Sequence, residues 1–465
     1  MFLRRISWYF CSGKNKGLKC LAWKSFSTSN RAAVDMASKE GELRVFIVAG
    51  EVSGDMIASR CMHSLQKLAP FPVRFAGIGG SMMSSQGLNS LFPMEEISVM
   101  GIWELLPHLK IFTVKLKQTV DAALSFHPHV VLTVDSKGFS FRFLKKLRDI
   151  YVQQGVVSPQ HFHYVAPSFW AWKGGETRLR GLSEFVDHLL CILPFEAEVC
   201  KANGIAATFV GHPTLEDIIE VKDKNISGIA REIQGNGEKF KADYGISSGS
   251  TIISLLPGSR SQEVTRMLPL FRRTIKQLSD SVQELINVIH VAPNSHVVDY
   301  INHSISEWPV PVLLIPGGSL CTKYDSFSAS EVALCTSGTV AMELQLARLP
   351  CVVAYRAHFL TEWIIRYKAK VPYISLTNIL LDSPIIPEAL LQECTPSKMA
   401  SLLIELIHNE DLRKQQISAA GKVIELLTPQ KGMISNSMLR DMGLPDPDSP
   451  PSMIAASTIL YSRRL

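Results

Sequence analysis

Two strand-like runs end in small-residue turns far apart in the chain: Val45-Phe-Ile-Val-Ala-Gly-Glu-Val-Ser-Gly-Asp55 and Ile252-Ile-Ser-Leu-Leu-Pro-Gly-Ser-Arg260. A strand that enters a helix through such a turn brings backbone N–H groups up to an anionic ligand. In the second turn Gly258 permits close backbone approach, Ser259 stands beside it, and Arg260 offers a guanidinium fork for phosphate oxygens. A related junction follows at Cys335-Thr-Ser-Gly-Thr-Val-Ala-Met-Glu343, with Ser337, Gly338 and Thr339 at the start of a helix. Glu343 lies five residues past Gly338, or about 7.5 Å along the axis, close to the span of a nucleoside diphosphate. Two chemistries fit: a diphosphate held at the helix start with Glu343 accepting from ribose hydroxyls, or an ordinary Ser/Thr cap with a solvated glutamate. Two phosphate-suited turns in one half of the chain favour the anion.

In the first half, Val130-Val-Leu-Thr-Val-Asp135 ends an apolar run in a carboxylate. There Asp135 could take a proton from an attacking hydroxyl, or cap the next helix. Glu51, Ser53, Gly54 and Asp55 form a second polar turn, with Asp55 also fit to be a helix cap. The stretch His163-Tyr-Val-Ala-Pro-Ser-Phe-Trp-Ala-Trp172, with Tyr164 and Trp170 as the cleft candidates, could stack on a sugar or base, or serve as packing. His212, in Gly211-His212-Pro213, reads as a buried structural histidine at the end of this half. His127/His129 and His161/His163 have no metal-ligand spacing to Cys or acidic residues, and the one D-x-D, Asp446-Pro447-Asp448, sits in a proline-rich tail. No metal and no cofactor is expected. Trp103 to Lys117 joins apolar residues to Lys110, Lys115 and Lys117, which suits a membrane surface or a core helix with a solvated lysine face.

Positioning these groups requires strands that alternate with helices. Apolar runs at Arg44–Ala49, Val73–Gly77, Val130–Val134, His161–Val165 and His188–Ile192 in the first half, and at Thr251–Leu256, Ile286–Val291, Val312–Ile315, Val332–Cys335 and Cys351–Tyr355 in the second, are separated by helical patterns. The fold class is therefore α/β, with parallel sheets covered on both faces. The expected organisation is a leader over 1–36, a first Rossmann-like domain over 42–220, a polar connection over 221–250, a second Rossmann-like domain over 247–430, and an unpacked tail over 444–465. The two domains would face a cleft.

Charge sets the class of partner. The formal charge is +6, but residues 1–34 hold seven basic groups and no acid, which leaves 41 basic against 42 acidic residues in the rest. Nucleic-acid binding is thereby excluded. A Ser-rich basic leader whose apolar residues are interrupted by Lys and Arg reads as an organelle transit peptide, mitochondrial before plastid, ending near Met36. Nine cysteines without a C-x-x-C pair fit reduced thiols. The longest apolar runs are far short of a bilayer span.

Ala49-Gly-Glu-Val-Ser-Gly-Asp55, Val99-Met-Gly-Ile102, His163-Tyr-Val-Ala-Pro-Ser168 with Trp170-Ala-Trp172, Leu193-Pro-Phe-Glu196, Val210-Gly-His-Pro213, Leu256-Pro-Gly-Ser-Arg260 and Thr336-Ser-Gly-Thr339 with Glu343 together resemble the lipid-A-disaccharide synthases, from about Arg44 to Leu427. The resemblance implies a GT-B fold and an inverting glycosyltransferase. It implies a UDP-diacylglucosamine donor, a diacylglucosamine 1-phosphate acceptor, a β(1→6) disaccharide product and no metal. By matching position, Asp135 would be the base, Gly258 to Arg260 and Ser337 to Thr339 would hold the diphosphate, and Glu343 the ribose. Asn378 would join Glu51, Ser53, Gly54, Asp55, Tyr164, Trp170 and His212 on the acceptor side or in the cleft. The resemblance also implies peripheral membrane contact and a homodimer that exchanges C-terminal segments. The chain departs from the family pattern at Lys137 and Ser140, where many members have Pro and Asn, and at Thr377 and Leu381-Asp382-Ser383. Other UDP-sugar chemistry on the same fold (N-acetylglucosaminyl transfer or epimerisation), or a non-catalytic UDP-lipid-binding protein, is the alternative.

Overall fold

Runs of apolar, β-branched residues bounded by Gly, Pro and Asp build two parallel sheets, each buried on both faces. The computed structural model of the chain describes residues 32–97, 102–222, 233–357, 359–429 and 449–463. Two units emerge, one ending at Pro213 and resuming at Leu427, the other spanning Thr214–Leu426.

The first unit contains α1 (Ala33–Glu40), β1 (Leu43–Ala49), α2 (Val52–Leu68), β2 (Val73–Ile78), α3 (Ser81–Ser85), α4 (Ile102–Phe126), β3 (Val130–Val134) and α5 (Lys137–Gln153). It continues with β4 (Gln160–Tyr164), α6 (Gly175–Leu182), β5 (His188–Cys191), α7 (Pro194–Ala202) and β6 (Ala206–Phe209). The strand order is β2-β1-β3-β4-β5-β6, all parallel. Successive strands therefore leave β1 in opposite directions, and the switch lies between β1 and β3, where α/β sheets open a ligand crevice at their carboxyl ends. The β1–β3 register sets Ala49 beside Val134, so Gly50 and Asp135 emerge together.

The second unit contains α8 (Leu215–Lys222), α9 (Gly237–Asp243), β7 (Thr251–Leu256), α10 (Ser261–Leu278), β8 (Leu285–Val291), α11 (Ser295–Ser304), β9 (Val312–Pro316), α12 (Leu320–Ala329), β10 (Val332–Cys335) and α13 (Thr339–Leu346). After these come β11 (Cys351–Tyr355), α14 (Phe359–Lys368), α15 (Leu376–Leu381), β12 (Glu388–Leu390), α16 (Pro396–His408) and α17 (Glu410–Leu427). Its parallel order β12-β11-β10-β7-β8-β9 switches between β7 and β10, with Leu256 beside Cys335. The turns at Pro257–Arg260 and Thr336–Gly338 thus share one sheet end.

Three expectations are corrected. The tail is not unpacked throughout: Pro451–Tyr461 forms a helix, α18, that lies on α2 and completes the first core with Ile454, Ala455, Ala456, Ile459 and Leu460. Pro451 occupies the first helical turn, where a missing N–H costs nothing, and a helix apolar on every side must be buried. Residues 444–448, with the D-x-D, lie outside the described residues. The leader boundary at 36 falls inside α1, whose Ala33 and Ala37 are buried and which packs on β1 and α18. The connection is shorter than 221–250: α8 joins the second unit through the Asp217 carboxylate, which accepts from the Tyr324 hydroxyl at 3.0 Å. Ile233 N–H donates to the Leu346 carbonyl and Phe240 is buried. Among the described residues no helix is long and apolar enough to cross a membrane.

Candidate functional site

At the β1–β3 sheet end the backbone is unusual. Asp135 and Ser136 both have left-handed φ, 49° and 43°, and nearby Val165 has φ 73°. Non-glycine residues pay for that conformation, most of all a β-branched one, and such strain collects at functional sites. The turn is pinned by Asp135 N–H donating to the Tyr164 carbonyl at 3.0 Å and Ser140 Oγ donating to the Asp135 carbonyl at 2.9 Å. Ser136, not Asp135, is the cap of α5. The Asp135 carboxylate is half-buried, and no described residue hydrogen-bonds it. Gly50 faces Ser136 so closely that a β-carbon there would stand 2.7 Å from Ser136 Oγ, which draws the Glu51–Gly54 turn against the Asp135 turn. Glu51 and Ser53 are half-buried beside it, while Gly54 is buried.

Other residues read as part of this site have structural partners of their own. Asp55 is buried, and its carboxylate accepts from the N–H groups of Gly80, Met82 and Met83 at 2.8, 3.0 and 3.1 Å. It holds the α3 turn. Tyr164 is buried at the end of β4, where its carbonyl rather than its ring serves Asp135. Trp170 donates its indole N–H to Glu196 Oε1 at 3.1 Å and meets Phe195 edge-on at 4.8 Å, so its plane is fixed. Glu196 is buried, and burial pushes its carboxyl up to about 7 against the pull of Trp170 and the N–H groups of Leu193 and Ile192. His212 is buried, as the sequence suggested, with its N–H donated to the Leu427 carbonyl. His163 lies under the same sheet end, bonded through Nδ1 to Thr133 Oγ1 at 2.8 Å, and burial together with the Lys137 charge pushes its imidazole down to about 3.

In the second unit the two turns are tied together by a residue the sequence reading passed over. Glu263 accepts the Ser259 N–H at 3.3 Å and a hydrogen bond from Thr336, and stands beside Arg260. Burial raises its carboxyl above the ordinary range, and Arg260, Ser259 and Thr336 act against that rise. Gly258 and Gly338 have φ of 122° and 128°, which favours glycine at both turns. Ser337 and Thr339 are half-buried at the start of α13. Glu343 is paired with Lys323 of α12 at 2.9 Å, a second residue the sequence reading did not find. The sheet end therefore presents a guanidinium, an ammonium, two carboxylates and a helix start, a set suited to an anion with hydroxyls beside it.

The Asn378 amide closes a loop: it accepts the Ile386 N–H at 2.8 Å and donates to the Ile386 carbonyl and to Glu388. Glu388 also takes the N–H groups of Ile374 and Ser375, so this pair locks the loop before α15 onto β12. Among the described residues no group of three or more His, Cys, Asp or Glu could hold a metal ion. Val99 to Gly101 lie outside the described residues.

A model of the family described as lipid-A-disaccharide synthetase matches residues 45–440. The chain is 60% identical over 444 residues to an Arabidopsis thaliana protein named probable lipid-A-disaccharide synthase, mitochondrial, covering 95% of this chain and 96% of that one. It is 39% identical over 385 residues to the lipid-A-disaccharide synthase of Rhodospirillum centenum, covering 83% and 90%. Among solved structures, UDP-GlcNAc 2-epimerase from Neisseria meningitidis bound to UDP-GlcNAc aligns with a TM-score of 0.54 at 14% identity, over 83% of this chain and 99% of that one. Sucrose-phosphate synthase from Thermosynechococcus elongatus aligns with a TM-score of 0.50 at 12% identity, over 87% and 100%. These structures bear on the fold alone, the two-domain α/β architecture of the GT-B type.

Proposed function

Because the chain belongs to the lipid-A-disaccharide synthetase family, we propose that it is a glycosyltransferase that moves 2,3-diacylglucosamine from its UDP donor to the 6-hydroxyl of 2,3-diacylglucosamine 1-phosphate. The products are the β(1→6) disaccharide 1-phosphate and UDP. The observation that carries the reading is the placement of each motif set at the switch point of its own sheet, Asp135 with Gly50 in the first unit and Arg260 with Thr336 in the second.

In this mechanism Asp135 takes the proton of the acceptor hydroxyl as its oxygen attacks the anomeric carbon opposite the leaving group. Charge spreads over an oxocarbenium-like sugar, and the C1–O bond to the diphosphate breaks with inversion. Arg260, the Gly258–Ser259 backbone, and the hydroxyls and N–H groups of Ser337 to Thr339 receive the negative charge that develops on UDP. Glu343 accepts from the ribose. The half-buried Asp135 carboxylate, without a partner among the described residues, suits a base that must meet a substrate proton.

The same reading places the protein in the mitochondrion, supported by the acid-free basic leader and by the printed name of the Arabidopsis relative. The burial of Ala33 supports processing at or before Ala32 rather than near Met36. Mass spectrometry of products from residues 32–465, given both acylated monosaccharides and a chelator, tests the activity. A disaccharide 1-phosphate is expected; release of UDP without it, or no turnover, would count against the assignment.

A further inference from the structure

His163 of β4 stands level with Thr133 of β3, two residues below the left-handed turns at Val165 and Asp135. Both side chains are buried, and the Thr133 hydroxyl lies 2.8 Å from His163 Nδ1, so a bond between side chains joins the two strands just before they end. Above it the joins are made by backbone: Asp135 N–H donates to the Tyr164 carbonyl and Val165 N–H to the Leu190 carbonyl, each at 3.0 Å. The far ring nitrogen, Nε2, is buried and makes no hydrogen bond of normal geometry, although the Val165 backbone acts on the ring. A buried polar atom without a partner costs about 1–3 kcal/mol. Packing against Phe141, whose ring is 4.7 Å away, would be served as well by an apolar ring at no such cost. The imidazole is therefore explained by Nδ1, and a pKa pushed down to about 3 keeps it neutral and out of proton transfer.

We propose that His163 is a positioning residue for Asp135: through Thr133 it fixes β4 against β3 and so sets the direction in which the Asp135 carboxylate leaves the sheet. A left-handed non-glycine residue costs on the order of 1–3 kcal/mol and persists only where its surroundings over-determine it. Asp135, Ser136 and Val165 are three such residues on adjoining strand ends, and the Thr133–His163 bond is a side-chain restraint directly beneath them. Without it the ends of β3 and β4 can separate, and the turns can relax towards ordinary backbone. A shift of about 1 Å in a reacting group is enough to cost roughly a hundredfold in rate. The proposal rests on the reading of Asp135 as the base, so the test includes Asp135→Asn.

Steady-state disaccharide formation by residues 32–465 is compared for wild type, His163→Phe, His163→Asn, Thr133→Val and Asp135→Asn. His163→Phe and Thr133→Val should each lower kcat by about ten- to a hundredfold, with KM for both acylated monosaccharides, UDP affinity and the thermal melt close to wild type. His163→Asn, whose amide can take the place of Nδ1, should recover most of the turnover. In the Asp135→Asn background His163→Phe should cause no further loss, because the group it orients is already gone. Thr133→Val, nearly isosteric, carries the same test from the other end of the bond should His163→Phe fail to fold. Wild-type kcat in Thr133→Val and His163→Phe, with Asp135→Asn impaired, would overturn the positioning role alone. So would a His163→Phe loss that multiplies with that of Asp135→Asn, that is confined to KM, or that His163→Asn shares in full. Wild-type turnover in Asp135→Asn would refute the base and the proposal together.

Discussion

Gly258→Ala probes the phosphate turn directly. A β-carbon at Gly258 would lie 2.3 Å from Glu263 Oε2 and 2.6 Å from its Cγ, and φ is 122°, which an L side chain rarely adopts. Either the turn changes course, at about 1–3 kcal/mol, or Glu263 swings away and releases Ser259 and Thr336. Both responses misdirect the N–H groups and guanidinium that would meet the diphosphate. Loss of one charge-assisted hydrogen bond is worth about 1.5–3 kcal/mol, which corresponds to a fall in UDP affinity of about ten- to a hundredfold. The turn is at the surface, with Ser259 exposed, so the core beneath should be little disturbed and the melting temperature should drop by only a few degrees. Isothermal titration of UDP reads the effect. Adding Glu263→Ala removes the obstacle, so the double variant should bind UDP better than the sum of the two single changes allows. If Gly258→Ala binds UDP within about twofold of wild type, the assignment of the anion to this turn fails.

Asp135→Asn should lower turnover by roughly 10²–10⁴ while leaving UDP affinity unchanged, and equal turnover in a coupled UDP-release assay would remove Asp135 as the base. Truncation after residue 448 strips Ile454, Ile459 and Leu460 from the first core, a loss of about 5 kcal/mol or more against a typical total of about 5–15; the protein should be insoluble, and a well-folded truncation by circular dichroism would contradict the packing described for α18. His163 and His188 are held down to about 3 and about 4 by burial, with Lys137 and Lys201 adding to the effect, so the unfolded chain binds more protons below its ordinary value of 6.5. Their contribution is full above pH 6.5 and is lost as pH falls towards 4. Glu196 opposes this, because its folded form holds a proton between 4.5 and about 7; urea midpoints of Glu196→Gln should fall more steeply than wild type from pH 7 to pH 4.5, and parallel slopes would contradict the burial argument.

The parallel sheets were legible because a strand buried on both faces must be apolar along its length, as Val130–Val134 and Thr251–Leu256 are. The ends of those runs were legible for a related reason: a lone carboxylate or a Gly-Ser-Arg turn after an apolar strand has few structural uses. Polar residues one turn further on were ambiguous, because the same Asp or Asn can serve a ligand or close a loop. Asp55 and Asn378 do the second, and only the positions of Gly80 and Ile386 reveal it. Glu263 did leave a signal, an acid at the third position of a helix opened by Arg260, the usual place for a capping carboxylate.

Lys323 left none. It reaches Glu343 from a different helix, and nothing local to either residue announces the pair. The pair has a chemical consequence for the proposed ribose contact. A carboxylate already neutralised by an ammonium is a weaker acceptor for a hydroxyl than a bare one, yet it is held in a fixed orientation and costs less to desolvate when the nucleotide arrives. Lys323→Met should therefore weaken UDP binding through a mobile, more strongly hydrated Glu343, although Lys323 need not touch the nucleotide, whereas Lys323→Arg should retain most of the affinity. An unchanged UDP affinity in Lys323→Met, with Glu343→Ala still impaired, would show that Glu343 recognises the ribose without the support of its partner.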